Sequence, residues 1–215
     1  MAKVFDFKQE CKDLYLPPTR PVLIEVPLMR FIAVDGRGNP NTAASYAEAV
    51  ELLYGLSYTL KMAKMTGAVP PGYHDFVVPP LEGLWWLTDQ NTPPQNLMIN
   101  KDDLIWISLI RVPDFVTAAV FEQAKAALAK KKPKLDSTRA RLWEFEEGLC
   151  AQMMHIGPYD DEPATIRQLH GFLEAEGYRP DMAGERHHHE IYLSDPRKTA
   201  PEKLKTVIRH PVARE

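Results

Sequence analysis

The sequence lacks the features that would place the chain in a membrane or on a nucleic acid. All of its apolar runs are shorter than the about 20 residues that a transmembrane helix needs to span a bilayer. The segment from Met1 to Glu10 alternates charged and apolar residues and does not resemble a signal peptide. The formal net charge of -3 gives no general field that attracts nucleic acid or an anionic membrane. We therefore expect a cytoplasmic protein that binds neither membranes nor nucleic acid directly.

The sequence also lacks the common motifs of covalent, metal and phosphate chemistry. The two cysteines, Cys11 and Cys150, lie far apart and have no redox or metal spacing, so we expect reduced structural thiols. There is no Gly-x-Ser-x-Gly elbow, and Gly36-Arg-Gly38 is too short for a phosphate loop. The histidines at 187–189 have no cysteine or carboxylate at a fitting spacing nearby. We expect no metal and no cofactor.

What the chain does contain is one structural pattern twice. A strand, a helix and two further strands are predicted, in this order, from about residue 21 to 112 and again from about residue 141 to 211. An alanine-rich helix over 114–132 has no counterpart and is predicted to join the two repeats. Residues 1–20, with Pro17 and Pro18 near their end, are predicted to be a short N-terminal extension on the main body.

Local signals predict the bounds of several elements. The first strand is predicted over 22–34. Asn41 is predicted to cap the helix that follows, and the apolar spacing of this helix places Tyr46 on its buried face. Asp114 is predicted to cap the alanine-rich helix, and Gly177 to end the helix of the second repeat.

This pattern predicts an α+β fold. We expect two β-α-β-β units that form curved antiparallel sheets, with helices on the outside and a ligand cleft between the repeats. A duplicated unit usually faces itself across such a cleft. Apolar content of 45% and charged content of 26% are ordinary for a globular protein.

Two carboxylates occupy comparable strands of the repeats and are the first candidates for chemistry. Side chains alternate along a strand, so Glu190 and Tyr192 share one face while Ile191 and Leu193 share the other. We expect Ile191 and Leu193 to pack on the second helix, which turns Glu190 and Tyr192 into the cleft. Glu82 lies in the matching segment of the first repeat and is predicted to face the same cleft. The alternative is that Glu190 is a solvated glutamate on an open sheet face, or one that is paired with Arg186.

Aromatic residues are predicted to form the walls of this cleft. They suit a flat or cationic ligand, because rings stack and attract positive charge. Only one of two neighbouring tryptophans on a strand can face the cleft, and the other is expected in the core. The predicted ligand-binding residues are Trp85, Trp86, Trp106, Phe145, His188 and Tyr159.

Three motifs together carry a family resemblance. The segment His155-Ile-Gly157-Pro-Tyr159, the helix after it and the strand around Glu190-Ile-Tyr192 resemble the GyrI-like small-molecule-binding family. The segment 79–86, Pro-Pro-Leu-Glu-Gly-Leu-Trp-Trp, is similar to a stand-alone bacterial branch of it. The resemblance implies a duplicated fold around a cleft, and a buried glutamate that attracts cationic aromatic compounds. That role maps onto Glu190.

The same resemblance leaves several functions open. Relatives include ligand domains of transcription activators, a gyrase-inhibitory protein and hydrolases of the strained cyclopropane of DNA-alkylating compounds. No helix-turn-helix fits before the first repeat, so we expect no direct control of transcription. The hydrolase branch implies that Glu190, with Glu82 or Tyr192, activates a water molecule. The alternatives are sequestration without turnover, a protein partner such as a topoisomerase, and haem bound by a histidine.

Overall fold

The computed structural model describes residues 4–65, 67, 69–87 and 100–215. Residues 1–3 of the predicted extension and 88–99 of the first predicted repeat lie outside this part. The strands are β1 (Val22–Val26), β2 (Met29–Arg37), β3 (Leu81–Leu87), β4 (Leu104–Arg111), β5 (Ala140–Phe145), β6 (Gly148–Ile156), β7 (Tyr178–Pro180), β8 (His188–Tyr192) and β9 (Lys205–Arg214). The helices are α1 (Phe7–Glu10), α2 (Lys12–Tyr15), α3 (Ala44–Lys61), α4 (Ala118–Lys131) and α5 (Glu162–Ala175).

The strands of the described residues form one antiparallel sheet, in the order β1-β6-β9-β8-β3-β4-β2-β5, with β7 paired to β9. The two repeats are β2-α3-β3-β4 and β6-α5-β8-β9, and they meet where β3 pairs with β8. The order of strands is mirrored about this junction. The structure confirms the α+β fold with curved antiparallel strands, although the two predicted sheets are one continuous sheet.

The two outer strands are exchanged between the repeats. β1 precedes β2 but pairs with β6, and β5 precedes β6 but pairs with β2. Only Pro27 and Leu28 separate β1 from β2, so the chain spans at most about 11 Å from Val26 to Met29. Because these strands lie near opposite ends of the sheet order, the sheet must curl until its edges approach. Pro27 has no N–H group and breaks the single strand predicted over 22–34.

The three long helices match the predicted ones, but two of their caps differ. α3 begins at Ala44, and Ala43 rather than Asn41 occupies its cap position. α4 is capped by Thr117, whose hydroxyl accepts a hydrogen bond from the Val120 amide at 3.3 Å, and not by Asp114. Both helices therefore begin two or three residues later than the caps predicted at Asn41 and Asp114 would place them.

The sheet has two differently covered faces. Residues Trp85, Trp106 and Ile208 lie on the face that packs against α3, α4 and α5, which we call the helix face. Leu84 and Ile191 lie on the opposite face. There they share one core cluster with residues from both edges of the sheet, which places this cluster on the concave side. We call it the inner face.

The N-terminal residues cover the inner face. Phe7, Leu14 and Tyr15 of α1 and α2 are buried in the same cluster as Ile191. Their backbone is also held by side chains of the sheet, since Nη2 of Arg209 donates to the carbonyl of Leu14 at 2.8 Å. No helix within the described residues combines the length and apolarity needed to cross a bilayer.

Candidate functional site

The candidate site lies on the helix face, above the junction of β3 and β8. In this ladder Trp85 is opposite His188, and Gly83 is opposite Glu190. Residues directly opposite in an antiparallel pair point to the same side, so His188, Glu190 and Tyr192 share the helix face with Trp85. They lie between α3, which packs on the first repeat, and α5, which packs on the second. The junction therefore carries a cluster of side chains between these two helices, and we call this region the cleft.

The carboxylate of Glu190 is the centre of this cleft. Its side chain is 14% exposed, and its Oε1 accepts a hydrogen bond from Nε2 of His188 at 2.9 Å. Residual exposure leaves the carboxylate accessible to water or a ligand. The prediction that Ile191 packs on the second helix is wrong, because Ile191 lies on the inner face. Glu190 does face the cleft, but on the side of the sheet that carries the helices.

A second carboxyl group, that of Glu162, meets Glu190 from the start of α5. Glu162 is 6% exposed. Burial, the charge of Glu190 and a hydrogen bond with Glu190 raise the pKa of Glu162 well above its usual value. The raised pKa favours the protonated form of Glu162, which can donate a hydrogen bond to the carboxylate of Glu190.

The turn before α5 is fixed by His155. Its Nδ1 lies 2.8 Å from the hydroxyl of Thr165, and its Nε2 lies 3.0 Å from the carbonyl of Pro158. These contacts join the end of β6 to the turn and to the first part of α5. They explain the sequence His155-Ile-Gly157-Pro-Tyr159, because this turn positions both Tyr159 and Glu162 at the cleft.

Aromatic side chains surround the carboxyl pair. Nε1 of Trp85 donates to the hydroxyl oxygen of Tyr192 at 3.0 Å, and the rings of Tyr159 and Tyr192 meet edge to face at 5.7 Å. The ring centroid of Tyr46, on α3, lies 5.8 Å from that of Trp85. Burial, and after it the neighbouring carboxyl groups of Glu162 and Glu190, raise the pKa of Tyr159 to about 12. This phenol is therefore neutral at neutral pH and lies beside the two carboxyl groups.

A glycine makes room for the indole of Trp85. A Cβ on Gly83 would lie 2.5 Å from Nε1 of Trp85, which is too close for any real contact. Gly83 is opposite Glu190 in the ladder, so the absence of a side chain there lets the indole of Trp85 lie close to the sheet beside Glu190.

The predicted site residues divide between the two faces. The structure brings together Glu190, Tyr192, His188, Trp85 and Tyr159 on the helix face. Trp106 is on this face too but is 0% exposed, packed against Tyr46 and over Gly36, so it supports the cleft without lining it.

Glu82, Trp86 and Phe145 lie on the inner face, so the prediction that they line the same cleft as Glu190 is wrong. Trp86 is the one of the two neighbouring tryptophans that faces away from the cleft. Glu82 is opposite Ile191 in the ladder, one residue out of phase with Glu190. Trp86 stacks on His187 at 3.9 Å, and Phe145 stacks on Trp143 at 4.4 Å. The backbone of the sheet separates all three from the cleft.

Glu82 instead belongs to a buried charge cluster. Its Oε2 accepts from Nε2 of His189 at 3.0 Å, and its Oε1 accepts from the hydroxyl of Tyr15 at 3.2 Å. Nδ1 of His189 donates to Glu147 at 2.9 Å, and Arg209 donates to the same oxygen at 2.9 Å. Every one of these side chains is buried. The cluster ties the N-terminal helices to the centre of the sheet.

The titration of this cluster follows from its pairing. Burial alone would lower the pKa of His189, but the charge and hydrogen bonds of Glu147 and Glu82 raise it to about 9. Burial alone would raise the pKa of Glu147, but His189 and Arg209 outweigh it and hold the value at about 2. His189 is thus an imidazolium between two carboxylates.

One group of ligand-type side chains in the described part of the chain is compact enough for a metal ion. Glu162, His188 and Glu190 each offer one atom, and these atoms lie within 4.8 Å of one another. Hydrogen bonds account for the closeness, since Glu190 is bonded both to His188 and to Glu162. We interpret the group as a hydrogen-bonded cluster.

Sequence reasoning missed Glu162, Tyr46, His170 and His210. Glu162 directly precedes Pro163, and an acidic residue in the first turn of a helix is usually a solvated one that faces the helix dipole. Tyr46 was assigned only to the buried stripe of its helix. The two histidines lie in different elements, and nothing in their spacing connects them. Only the packing of α5 on β9 brings them to Glu190.

Comparisons with known proteins agree with this fold. A family model described as the GyrI-like small molecule binding domain matches residues 107–213. A solved structure described as a hydrolase from Listeria innocua is 48% identical, covers 97% of this chain and 100% of its own, and has a TM-score of 0.88. An uncharacterized conserved protein from the same organism is 49% identical, with coverages of 97% and 100% and a TM-score of 0.90.

A more distant structure shares the fold alone. The C-terminal domain of EcmrR is 15% identical, with 91% of this chain and 98% of that chain covered and a TM-score of 0.54. No curated protein matches the chain.

Proposed function

Because the chain belongs to the GyrI-like small-molecule-binding family, we propose that the cleft between α3 and α5 binds flat aromatic molecules that are cationic or electrophilic. The observation that carries this proposal is the partly exposed Glu190, which holds one negative charge among Trp85, Tyr159 and Tyr192. A carboxylate of this kind attracts a cation, and the rings offer stacking surfaces.

We further propose that the protein hydrolyses ligands with a strained cyclopropane. The hydrolase description of a Listeria relative supports turnover. In the step that we propose, Glu190 accepts a proton from a water molecule, and the water oxygen forms a bond to a ring carbon. One carbon–carbon bond of the ring breaks, and its electron pair moves to the electron-accepting group of the substrate, which takes a proton from solvent. Glu162 keeps its own proton and holds the carboxylate of Glu190 in place.

The test is to incubate the protein with a cyclopropane-bearing aromatic alkylator in isotopically labelled water. Mass spectrometry should detect a ring-opened product that carries the labelled oxygen. Glu190→Gln keeps the shape of the side chain but removes the charge, and we expect it to abolish turnover. Glu82→Gln is the matched control, because it makes the same change on the inner face and should leave turnover unchanged.

The outcomes separate catalysis from sequestration. Binding at one ligand per protein with no product at any time would contradict hydrolysis and leave a sequestering protein. Full turnover by Glu190→Gln would refute the role of this carboxylate. Equal losses in the Glu82 and Glu190 variants would mean that the substitutions act through stability, which a thermal melt of each variant would reveal.

A further inference from the structure

Three histidines on the helix face form a continuous hydrogen-bonded chain that ends on Glu190. Nε2 of His170, on α5, lies 2.9 Å from Nδ1 of His210, on β9. Nε2 of His210 lies 2.6 Å from Nδ1 of His188. Nε2 of His188 lies 2.9 Å from Oε1 of Glu190. The chain therefore runs from the partly exposed His170, through the buried His210, to the carboxylate of the cleft.

The hydrogen positions in this chain are tightly constrained, because each contact between two ring nitrogens holds one hydrogen. When Glu190 accepts from Nε2–H of His188, Nδ1 of His188 must accept from Nε2–H of His210. Nδ1 of His210 must likewise accept from Nε2–H of His170. All three rings are then neutral and carry their hydrogen on Nε2. Nδ1 of His170 is left at the outer end, where no described residue hydrogen-bonds to it.

One added proton gives a second complete arrangement. The proton binds Nδ1 of His170, one hydrogen crosses each of the two nitrogen–nitrogen contacts, and His188 becomes an imidazolium. His170 and His210 finish neutral, with their hydrogen on Nδ1. The imidazolium donates Nε2–H to Glu190 and Nδ1–H to Nε2 of His210. Neither arrangement leaves a buried N–H without an acceptor, which is the costly case.

The carboxylate that bonds to His188 favours a proton there and not farther along the chain. Glu190 faces His188 from the same strand, and Glu162 approaches from α5. On the other side, Ala151 of β6 is opposite His210 and carries no charge. Burial, and after it the neighbouring histidines, lower the pKa of His170 and that of His210.

We propose that this chain couples the binding of an organic cation in the cleft to the release of a proton at His170. The proposal rests on the proposed ligand-binding role of Glu190. A bound cation and the imidazolium of His188 compete for the same carboxylate, so the cation displaces the proton, which leaves through His210 and His170. Neutral aromatic ligands do not compete in this way. The histidines thus make the preference for cations depend on pH.

The first experiment uses the ligand-free protein and does not depend on the proposed function. Nitrogen-15 NMR of the imidazoles distinguishes the two neutral tautomers from the imidazolium. We expect His210 to stay neutral across the titration of His188, while its hydrogen moves from Nε2 to Nδ1 as the pH falls. A ring that changes tautomer without changing charge is the signature of the chain. A single tautomer of His210 at every pH would overturn the proposal.

The second experiment measures proton release on binding of tetraphenylphosphonium, a permanently charged aromatic cation. Calorimetry in buffers of different ionisation enthalpy should report release that approaches one proton per cation at acid pH. Affinity should fall by at most about tenfold per pH unit there, which is the limit for one coupled proton. His210→Leu removes the acceptor for Nδ1–H of His188 and should abolish both effects.

Controls separate the chain from other causes. His187→Gln changes a histidine of the inner face and should keep the proton release of the parent protein. If His210→Leu does not fold, His170→Leu removes the outer acceptor at a partly exposed position and should reduce the release in the same way. Undiminished release in the leucine variants would overturn the coupling. If the cation does not bind at all, the proposed function fails, and the tautomers of His210 alone decide whether the chain exists.

Discussion

The imidazolium of His189 predicts a loss of stability at alkaline pH. Its pKa in the folded protein is about 9, against 6.5 for an ordinary histidine. The folded state therefore binds this proton more tightly than the unfolded state. At about 1.4 kcal/mol per pH unit, the difference corresponds to about 3 kcal/mol of unfolding free energy. This contribution is fully present below pH 6.5 and is lost as the pH rises through about 9.

The measurement is urea unfolding at a series of pH values across this range. His189→Gln removes the titrating group, so its unfolding free energy should be lower overall and much flatter above pH 6.5 than that of the parent protein. His187→Gln is the matched control. Burial lowers the pKa of His187, so its contribution lies on the acid side and should not change the alkaline slope. Parallel curves for the parent protein and His189→Gln would refute the assignment of the imidazolium.

Three further substitutions test the division between the faces. Gly83→Ala should weaken binding of a cationic aromatic probe by about tenfold in calorimetry, because the new Cβ displaces the indole of Trp85. Gly171→Ala is the control, because a Cβ at Gly171 has no neighbouring atom within 4 Å. Glu82→Gln should cost about 2 kcal/mol in urea unfolding and leave probe affinity unchanged, since it breaks a buried charged pair. The pKa of Glu147 is held at about 2, so stability should fall as the pH drops from 4.5 towards 2, and acid titration of Glu147→Gln should be flatter there.

Much of the fold could be predicted from the sequence because its signals are local. The apolar spacing along the three long helices and the glycine after α5 located these elements to within a few residues. The repeated order of elements predicted the duplication. The pairing of β1 with β6 could not be predicted, because it depends on residues far apart in sequence and on the curl of the whole sheet.

The candidate site could be predicted only in part, for a reason that lies in strand geometry. Alternation shows which residues share a face, and it grouped Glu190 with Tyr192 correctly. It does not show which elements cover that face, and it does not fix the register between two strands. A shift of one residue moves a side chain to the opposite face. Glu82 is out of phase with Glu190 by this one residue, so similar sequence positions led to opposite sides of the sheet.

The balance of charge on the two faces supports the proposal that Glu190 is the group that attracts cations. On the inner face, the carboxylates of Glu82 and Glu147 are matched by His189 and Arg209. Their charges cancel locally, and their burial excludes any ligand. On the helix face, the raised pKa of Glu162 favours its neutral form, and the salt bridges of the described residues pair Glu190 with His188 and with no arginine or lysine. Consecutive residues of β8 thus have different roles. His189 stabilises the fold from the inner face, while its neighbours His188 and Glu190 determine the charge of the cleft on the helix face.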